Sequence, residues 1–328
     1  MNSRLREHLL VAGSANLDFV VRASHVPAPG ETVLGRDFAN FPGGKGANQA
    51  VACARAGGVA TRMLLALGDD AFARTIEDSL VDAGVDLQIV RSTGPTGTAF
   101  ICLSDDAENA ITVAPGANMA LRGDELVNLA SVSHLLLQLE TPIEAVTAYA
   151  IAARDAGVKV VLNAAPARAL PTELLRNVDV LIVNEGELAA INGHRGSIVE
   201  GLALLDVPCV VVTLGARGCC ARMGAETFLQ TGFKVHAVDT TAAGDTFCGA
   251  FCAALHRGES LPVALRVGCA ASALACTRLG AQSSIPRRSE VDAFLRADDC
   301  HAPQDVQAVA VYCGIGDATA STHALPFS

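Results

Sequence analysis

Residues 238–247 place a carboxylate where a helix is expected to begin. Apolar residues follow Asp245 at positions 247, 250, 251 and 255, which is helical spacing, so Asp245 should lie in the first turn. The N–H groups in the first turn of a helix lack intrahelical partners and attract phosphate. A phosphate could approach them closely here, because three small residues precede Asp245: Ala242, Ala243 and Gly244. An aspartate beside such an anion site suits a base that deprotonates a hydroxyl as it attacks phosphorus. The plainer alternative is that Asp245 only caps the helix.

A lysine lies among glycines just before a second predicted helix. The chain has 24 lysines and arginines, but only three of them are lysines: Lys45, Lys159 and Lys234. Since arginine is used so heavily, a lysine among glycines suggests a need for its compact ammonium group. The glycines permit close approach of a ligand, although the spacing is not that of a GxxxxGK[ST] phosphate loop. The alternative is a glycine-rich turn without a chemical role.

Two polar residues follow the first predicted strand. Asn16 and Asp18 alternate along an extended backbone, so their side chains can point the same way. A carboxylate accepts hydrogen bonds from hydroxyls, and an amide both donates and accepts, so the pair suits a polyhydroxy ligand. An Asx-type turn at the end of a strand is the alternative.

Further polar residues follow later strand patterns. Glu140 comes after an apolar run, at the sheet edge where ligands are expected. Asn184 and Glu187 would share one side of a helix that follows another strand, near a phosphate and its Mg²⁺. Glu187 could instead be an ordinary N3 residue of that helix. Residues 213–218 predict a strand end and a tight turn that is able to line a nucleotide.

Apolar runs of strand length alternate with helical patterns over most of the chain. Predicted strands cover residues 9–12, 63–67, 134–139, 158–162, 180–183 and 209–213, and predicted helices cover 48–56, 71–83 and 143–156. Such alternation predicts an α/β fold with a mostly parallel central sheet between two helical layers. Residues 19–40 and 98–115 interrupt it with β-forming and turn residues, and we expect them to form a small β-sheet lid. A lid excludes water, which competes as a phosphoryl acceptor.

Composition narrows the classes of function. The 328 residues carry a formal net charge of −10 and no tryptophan, which argues against nucleic acid as a partner. No uncharged apolar stretch is long enough to span a membrane, and the N-terminus is not a convincing signal peptide, so we expect a cytoplasmic protein. The 11 cysteines include no CxxC pair and lie mostly among apolar residues, which favours buried thiols over disulfides or zinc ligands.

The C-terminal residues differ in character from the rest. Residues 297–328 contain Pro303, several small residues and no clear helical period. We expect an extension that is loosely attached or disordered. Residues 309–312 could add an edge strand.

Two motifs together resemble those of the ribokinase family of carbohydrate kinases, also called the PfkB type. They are Gly43-Gly44-Lys45-Gly46-Ala47-Asn48-Gln49-Ala50 and Asp239-Thr240-Thr241-Ala242-Ala243-Gly244-Asp245-Thr246-Phe247. Five shorter segments fit the family in order and spacing: residues 13–18, 139–142, 163–168, 184–187 and 213–218. The resemblance covers roughly residues 9–295 as one kinase domain. It implies a three-layer α/β fold with a small β lid that often forms the contact of a homodimer.

The resemblance also implies a role for each motif. Asp245 would be the catalytic base, with an anion hole formed by Ala242, Ala243 and Gly244. Besides Asp245, the implied sugar-binding residues are Asn16, Asp18, Gly44, Lys45, Gly46, Ala47, Asn48 and Glu140. The implied nucleotide-binding residues are Asn184, Thr213, Leu214, Gly215, Ala216, Arg217, Gly218, Gly244 and Cys269, with Glu187 helping to place Mg²⁺. A site for a monovalent cation, usually K⁺, would use Asp239, Thr241, Ala275, Arg278, Gly280 and Ser284, mostly through backbone carbonyls.

The activity that the resemblance implies is ATP-dependent phosphorylation of D-ribose at its 5-hydroxyl. Two positions depart from the family. Cys269 stands where a polar residue often touches the nucleotide base, so weaker or more apolar base contacts are expected. Ala164 replaces a proline that is common in the motif at residues 163–168, and we expect a minor effect. Kinases for deoxyribose, another sugar or a nucleoside are the nearest alternatives. A non-catalytic sugar-binding regulatory protein is an alternative of another class. A nicotinamide-dependent oxidoreductase is disfavoured because no GxGxxG follows the first strand.

Overall fold

Strands and helices alternate along the chain, in a computed structural model that describes residues 7–104, 109–297 and 303–316. The strands are β1 (His8–Ala12), β2 (Asn16–Ala23), β3 (Arg36–Gly43), β4 (Thr61–Leu67), β5 (Val85–Arg91), β6 (Gly97–Ser104), β7 (Asn109–Ala114), β8 (Val132–Leu137), β9 (Lys159–Asn163), β10 (Val180–Asn184), β11 (Cys209–Thr213), β12 (Gly218–Met223) and β13 (Glu226–Thr231). The helices are α1 (Lys45–Arg55), α2 (Ala71–Asp82), α3 (Ile143–Asp155), α4 (Thr172–Arg176), α5 (Glu185–Asn192), α6 (Ile198–Ala203), α7 (Ala243–His256), α8 (Leu261–Cys276), α9 (Arg288–Ala297) and α10 (Pro303–Cys313).

A nine-stranded sheet forms the centre of the protein. Its order is β13-β12-β11-β10-β9-β8-β1-β4-β5, and all neighbours from β11 to β5 in that order are parallel. At one edge of this sheet, β12 pairs in antiparallel fashion with both β11 and β13. The mostly parallel sheet with helical layers confirms the predicted α/β fold class.

Both faces of this sheet are covered, so its strands are apolar on both sides. Leu9 and Val11 of β1 face a core that includes residues of α1, α7 and α8. Leu10 and Ala12 point the other way, into a second core with Tyr149 of α3. Burying each large side chain contributes roughly 1.5–3 kcal/mol, and together these cores fix the strand ends from which the polar residues project.

A separate four-stranded sheet has the order β3-β2-β6-β7. Its strands fall within or overlap the two regions that interrupt the α/β alternation, residues 19–40 and 98–115. β2 begins at Asn16, only a short turn after β1 ends, and β3 ends at Gly43, just before α1. The start of β2 and the end of β3 therefore lie beside the carboxyl end of the large sheet, where ligand sites of such folds are found.

Several element boundaries differ from the prediction by a few residues, and two of these differences matter for the site. α1 begins at Lys45 rather than at residue 48, because Gly44 adopts a φ of 88° that only glycine accepts readily and so turns the chain into the helix earlier. β8 ends at Leu137 rather than at residue 139, so Glu140 lies in the loop beyond the strand.

The C-terminal region contains a helix, α10, where the sequence suggested an edge strand at residues 309–312. That expectation is wrong: Val309, Ala310 and Cys313 form one buried face at helical spacing. Residues 298–302 and 317–328 of the predicted extension lie outside the described residues.

The cysteines in the described part of the chain are free thiols, and most are buried, in line with the sequence prediction. Among these same residues, no helix combines the length and apolar character that a membrane crossing needs.

Candidate active site

Asp245 lies in the first turn of α7 and is almost fully buried, with 8% of its surface exposed. Its carboxylate accepts hydrogen bonds from two side chains of α1. Asn48 Nδ2 donates to Oδ2 at 3.0 Å, and Gln49 Nε2 donates to Oδ1 at 2.9 Å. The two helices pack closely because Gly249 leaves room, since a Cβ there would lie 2.5 Å from the Cβ of Ala52.

The geometry of Asp245 argues against the simple capping alternative. The N-cap of α7 is Ala242, in a left-handed conformation with a φ of 57°, and no side chain caps the helix. The N–H of Ala243 donates to Thr240 O at 3.2 Å, so it is already engaged. The N–H groups of Gly244 and Asp245 belong to the first turn and lack intrahelical acceptors. Of the predicted anion hole, the N–H of Ala243 is therefore engaged within the turn, whereas that of Gly244 can donate to an incoming anion.

Gln49 is a central residue of the site, although sequence reasoning gave it no role. It is fully buried, and its Nε2 donates to Asp245 and also to Asn163 Oδ1 at 3.0 Å. Its Oε1 accepts from Gln138 Nε2 at 2.7 Å. All hydrogen-bonding groups of the Gln49 amide are thus used, which fixes the orientation of the Asp245 carboxylate. Its place beside Asn48 in the glycine-lysine motif was the available signal.

Asn16 and Asp18 lie on extended backbone after β1, as predicted, where they form the start of β2. Asn118 is a partner that sequence reasoning missed. Asn118 Nδ2 donates to Asn16 Oδ1 at 2.8 Å, and its Oδ1 accepts from the N–H of Ala15 at 2.9 Å. Nearby glycines leave space for these side chains. A Cβ on Gly43 would lie 2.1 Å from Asp18 Oδ2.

Glu140 joins three segments that are distant in the sequence. Its Oε2 accepts from Ser14 Oγ at 2.6 Å and from the N–H of Lys45 at 3.1 Å. Ser14 Oγ in turn accepts from the N–H of Gly46 at 3.2 Å. Glu140 thereby accepts a hydrogen bond from the first residue of α1 and holds the glycine-rich turn in place. Ala47, in the first turn of α1, is fully buried.

One ammonium group faces several carboxylates in this region. Interaction with Asp245, and to a lesser degree with Glu140 and Glu187, raises the pKa of Lys45 although burial opposes that rise. Burial, together with the charges of Glu140 and Asp245, raises the pKa of Asp18 from 3.8 to about 7. The site can therefore hold a proton near neutral pH and can bind hydroxyls through carboxylate oxygens.

Asn184 and Glu187 form a reciprocal capping box at the start of α5. Asn184 Oδ1 accepts from the N–H of Glu187, and Glu187 Oε2 accepts from the N–H of Asn184, both at 2.8 Å. The helix-start alternative for Glu187 is thus what the structure shows. One carboxylate oxygen is left for other partners. Burial raises the pKa of Glu187, and Asp245 and Lys45 lie within electrostatic reach.

The predicted nucleotide turn lies beside Asn184. Thr213 at the end of β11 pairs in register with Asn184 at the end of β10. The N–H of Leu214 donates to Gly218 O at 2.8 Å, which closes the tight turn that contains Gly215, Ala216 and Arg217. These segments share one edge of the sheet. Cys269 is buried, and its Sγ lies 3.6 Å from the Sγ of Cys219, the residue that follows Gly218 of this turn.

The segments of the predicted cation site meet at Asp239. Its Oδ1 accepts from the N–H and the hydroxyl of Thr241, and its Oδ2 accepts from the N–H of Gly280 at 2.9 Å. Burial alone would raise the pKa of Asp239, but these hydrogen bonds outweigh it and lower that pKa. The Arg278 side chain pairs with Glu290. The remaining predicted members lie in the same region, with Ala275 near the end of α8 and Ser284, which is buried, donating to Ala281 O. Within the described residues, no cluster of three or more His, Cys, Asp or Glu side chains could hold a metal ion.

Comparisons with known proteins agree with this geometry. A ribokinase of Haemophilus influenzae is 39% identical over 305 residues, which cover 89% of this chain and 99% of the relative. A ribokinase structure from Thermotoga maritima, at 37% identity, matches with a TM-score of 0.80 over 88% of this chain and 99% of the other. The structure of Arabidopsis thaliana ribokinase complexed with ribose and ATP, at 33% identity, matches with a TM-score of 0.81 over 89% and 99%. Residues 6–288 match the family described as pfkB family carbohydrate kinase. The chain belongs to this family of carbohydrate kinases.

Proposed function

We propose that the protein transfers the γ-phosphoryl group of ATP to the 5-hydroxyl of D-ribose. The observation that carries the proposal is the buried Asp245 carboxylate, oriented by α1 and placed at the start of α7. Asp18 lies within electrostatic reach of both Asp245 and Glu140, and with Asn16 on the same strand these groups can bind hydroxyls. The similarity to ribokinases, including one complexed with ribose and ATP, supports the choice of both substrates.

In this reaction Asp245 accepts the proton of the 5-hydroxyl while the oxygen of that hydroxyl attacks the γ-phosphorus. The bond between that phosphorus and the bridging oxygen breaks, and ADP leaves. The free N–H groups at the start of α7 stabilise negative charge on the transferring group. Lys45 adds a positive charge near Asp245. General-base help of this kind contributes about 10²- to 10⁴-fold in rate.

We propose that Mg²⁺ accompanies the nucleotide. Mg²⁺ is usually held by one or two carboxylates and by substrate phosphates rather than by a protein cage. The free carboxylate oxygen of Glu187 and the carboxylate of Asp245 fit that description. When bound, the ion would neutralise charge on the phosphates.

We further propose that K⁺ binds between the Asp239 loop and the segment after α8. Backbone carbonyls suit this ion, and Asp239 already links Thr241 to Gly280. The ion would stiffen the loop that leads into the anion hole. Activity that is equal in K⁺ and in tetramethylammonium, as sole monovalent cations, would contradict this site.

The four-stranded sheet is our proposed lid and dimer contact. It exposes large apolar side chains on both faces: Phe38 is 66% and Phe100 54% exposed on one face, and Ile111 is 54% exposed on the other. Exposed apolar surface of this kind is typical of an interaction site. Sedimentation equilibrium should give a dimer, and Phe100→Glu should give a monomer. A wild-type monomer at micromolar concentration would contradict the proposal.

The kinase-domain boundaries at residues 9–295 and a cytoplasmic location remain predictions.

An ADP-release assay with a panel of acceptors tests the substrate. D-Ribose should give the highest kcat/KM, above 2-deoxyribose, fructose and adenosine. If the protein phosphorylates another acceptor but not ribose, it is a kinase, and the assignment of ribose as its substrate is wrong. Ribose binding without any ATP turnover would favour the non-catalytic regulatory alternative.

A further inference from the structure

The C-terminal helix α10 lies beyond the part of the chain that matches the family. That match ends at residue 288, whereas α10 spans Pro303–Cys313. Nothing in the reaction described above uses this helix. Its contacts therefore need an explanation of their own.

α10 is firmly seated on the large domain. Val309 and Cys313 are buried in the same core cluster as Cys220 of β12, and Ala310 beside them is also buried. The chain then turns at Gly314, where a Cβ would lie 2.3 Å from the Cβ of Ser197 at the start of α6. This packing fixes the direction in which the exposed face of α10 presents its side chains.

Tyr312, on that outer face, contacts two charged residues of the kinase domain. The Arg217 guanidinium carbon lies 4.2 Å from the centre of the Tyr312 ring. The Tyr312 hydroxyl donates a hydrogen bond to Glu185 Oε1 at 2.5 Å. Tyr312 is 42% exposed, so it rests over these residues without being part of the core.

Both partners of Tyr312 belong to the nucleotide side of the site. Glu185 is the first residue of α5 and directly follows Asn184, whereas Arg217 lies in the tight turn after Thr213. Asn184 and Thr213 are neighbours across β10 and β11. One side chain of the C-terminal helix therefore links the two segments that are expected to bind ATP.

We propose that Tyr312 is a positioning residue for ATP, acting through Arg217 and the start of α5. A free arginine side chain populates many rotamers, and ordering it in advance reduces the entropy lost when the nucleotide binds. Stacking on the Tyr312 ring and the anchored Glu185 supply that order. The role rests on the proposed function, since it concerns the nucleotide site of that reaction.

The test measures ATP binding by calorimetry, together with kcat and both KM values, for the full-length protein. Tyr312→Ala should raise the Kd and KM for ATP about three- to tenfold, the range expected for losing a cation–π contact and a hydrogen bond at a partly exposed site. The kcat and the KM for ribose should stay within twofold. Tyr312→Phe keeps the ring and should recover much of the loss. Val311→Ala, at a 65% exposed position of the same helix, is the matched control and should match the wild type.

A double variant shows whether Tyr312 acts through Arg217. Arg217→Ala/Tyr312→Ala should lose less affinity for ATP than the sum of the two single losses, because without Arg217 the Tyr312 side chain positions only the start of α5. Should Tyr312→Ala fail to fold, Tyr312→Leu keeps apolar bulk and gives the same comparison.

The outcomes separate this inference from the proposed function. If the wild type binds ATP and phosphorylates ribose, but Tyr312→Ala has an unchanged Kd for ATP, the inference alone is overturned. Strictly additive losses in the double variant also overturn it. If the wild type binds no ATP, the proposed function fails and the inference falls with it.

Discussion

The sugar side and the nucleotide side of the site are built in different ways. On the sugar side, buried side chains join distant parts of the chain, as in the bonds from Asn48 and Gln49 to Asp245, 197 and 196 positions away. On the nucleotide side, Asn184 and Glu187 satisfy each other three positions apart. Hydrogen bonds between buried side chains that are distant in the sequence form only once the whole protein is folded. The local hydrogen bonds of a capping box form together with their helix.

The difference has an energetic consequence. Removing a buried partner leaves another polar group unsatisfied and costs about 1–3 kcal/mol, besides misplacing the reacting group. Removing a local cap costs about 1 kcal/mol and leaves the surrounding contacts intact. We therefore expect changes on the sugar side to affect chemistry strongly and changes on the nucleotide side to act mainly on binding of ATP.

Asp245→Asn should have the largest effect. An amide cannot take the proton, so kcat should fall about 10³-fold, within the range for losing a general base. The ribose Kd, measured by calorimetry, should change far less. A loss below tenfold in a folded variant would remove Asp245 from the role of base.

Gln49→Leu should come next. The change frees Asp245 from one of its two fixed donors and leaves Gln138 Nε2 and Asn163 Oδ1 without their partner. We expect kcat to fall about 10- to 100-fold and the free energy of unfolding to drop by about 1–3 kcal/mol. Urea titration and steady-state kinetics measure both.

Gln88→Leu is the matched control, because Gln88 also donates a side-chain bond, to Glu125 O at 2.5 Å, but lies on β5. It should lower stability without lowering kcat. Equal kcat for Gln49→Leu and the wild type would show that the network serves stability alone.

Asp18→Asn should weaken ribose binding yet stabilise the folded protein at high pH. The pKa of Asp18 is about 7 when folded against an ordinary value of 3.8, so between these pH values the folded state binds more protons than the unfolded state. Stability therefore declines as pH rises through this window. Asparagine removes that decline, so at pH 8 the variant should be more stable than the wild type by up to about 4 kcal/mol.

The Tm of Asp18→Asn should accordingly exceed that of the wild type at pH 8, with a smaller gap at pH 5. The KM for ribose should rise about tenfold or more, since a carboxylate that accepts hydroxyl bonds is lost. For the wild type, the KM for ribose should rise as pH falls below about 7. Asp37→Asn, which changes an exposed carboxylate on β3, is the control. A Tm gap that is the same at both pH values would contradict this account of Asp18.

Asn184→Ala should have the smallest effect of this series. It removes half of the capping box of α5, so we expect a loss of about 1 kcal/mol in stability and a KM for ATP raised a few-fold. Ser197→Ala removes the equivalent half of the capping box of α6, away from the proposed phosphates. The two variants should lose similar stability, but only Asn184→Ala should change the KM for ATP. A tenfold loss of kcat in Asn184→Ala would erase the distinction between the two sides.

The parts of the fold and site that were predictable are those with local signals. The strand and helix patterns, the small residues before Asp245 and the polar residues at strand ends all lie in short stretches of sequence. Gln49, Asn118 and Tyr312 were missed because their partners lie far away in the chain, and only the folded protein brings them together. The strand prediction for residues 309–312 was wrong because valine and tyrosine favour strands, whereas packing against the core selects a helix here.

The most direct test of the central claim is the identity of the phosphorylated product. Wild-type protein is incubated with ATP, Mg²⁺, K⁺ and D-ribose, and the ³¹P spectrum is recorded with proton coupling. Phosphate on O5 is attached through a CH₂ group, so the account predicts a new sugar-phosphate signal split into a triplet, and none with Asp245→Asn. A doublet, which marks phosphate on a ring CH position, or the absence of any sugar phosphate would contradict it.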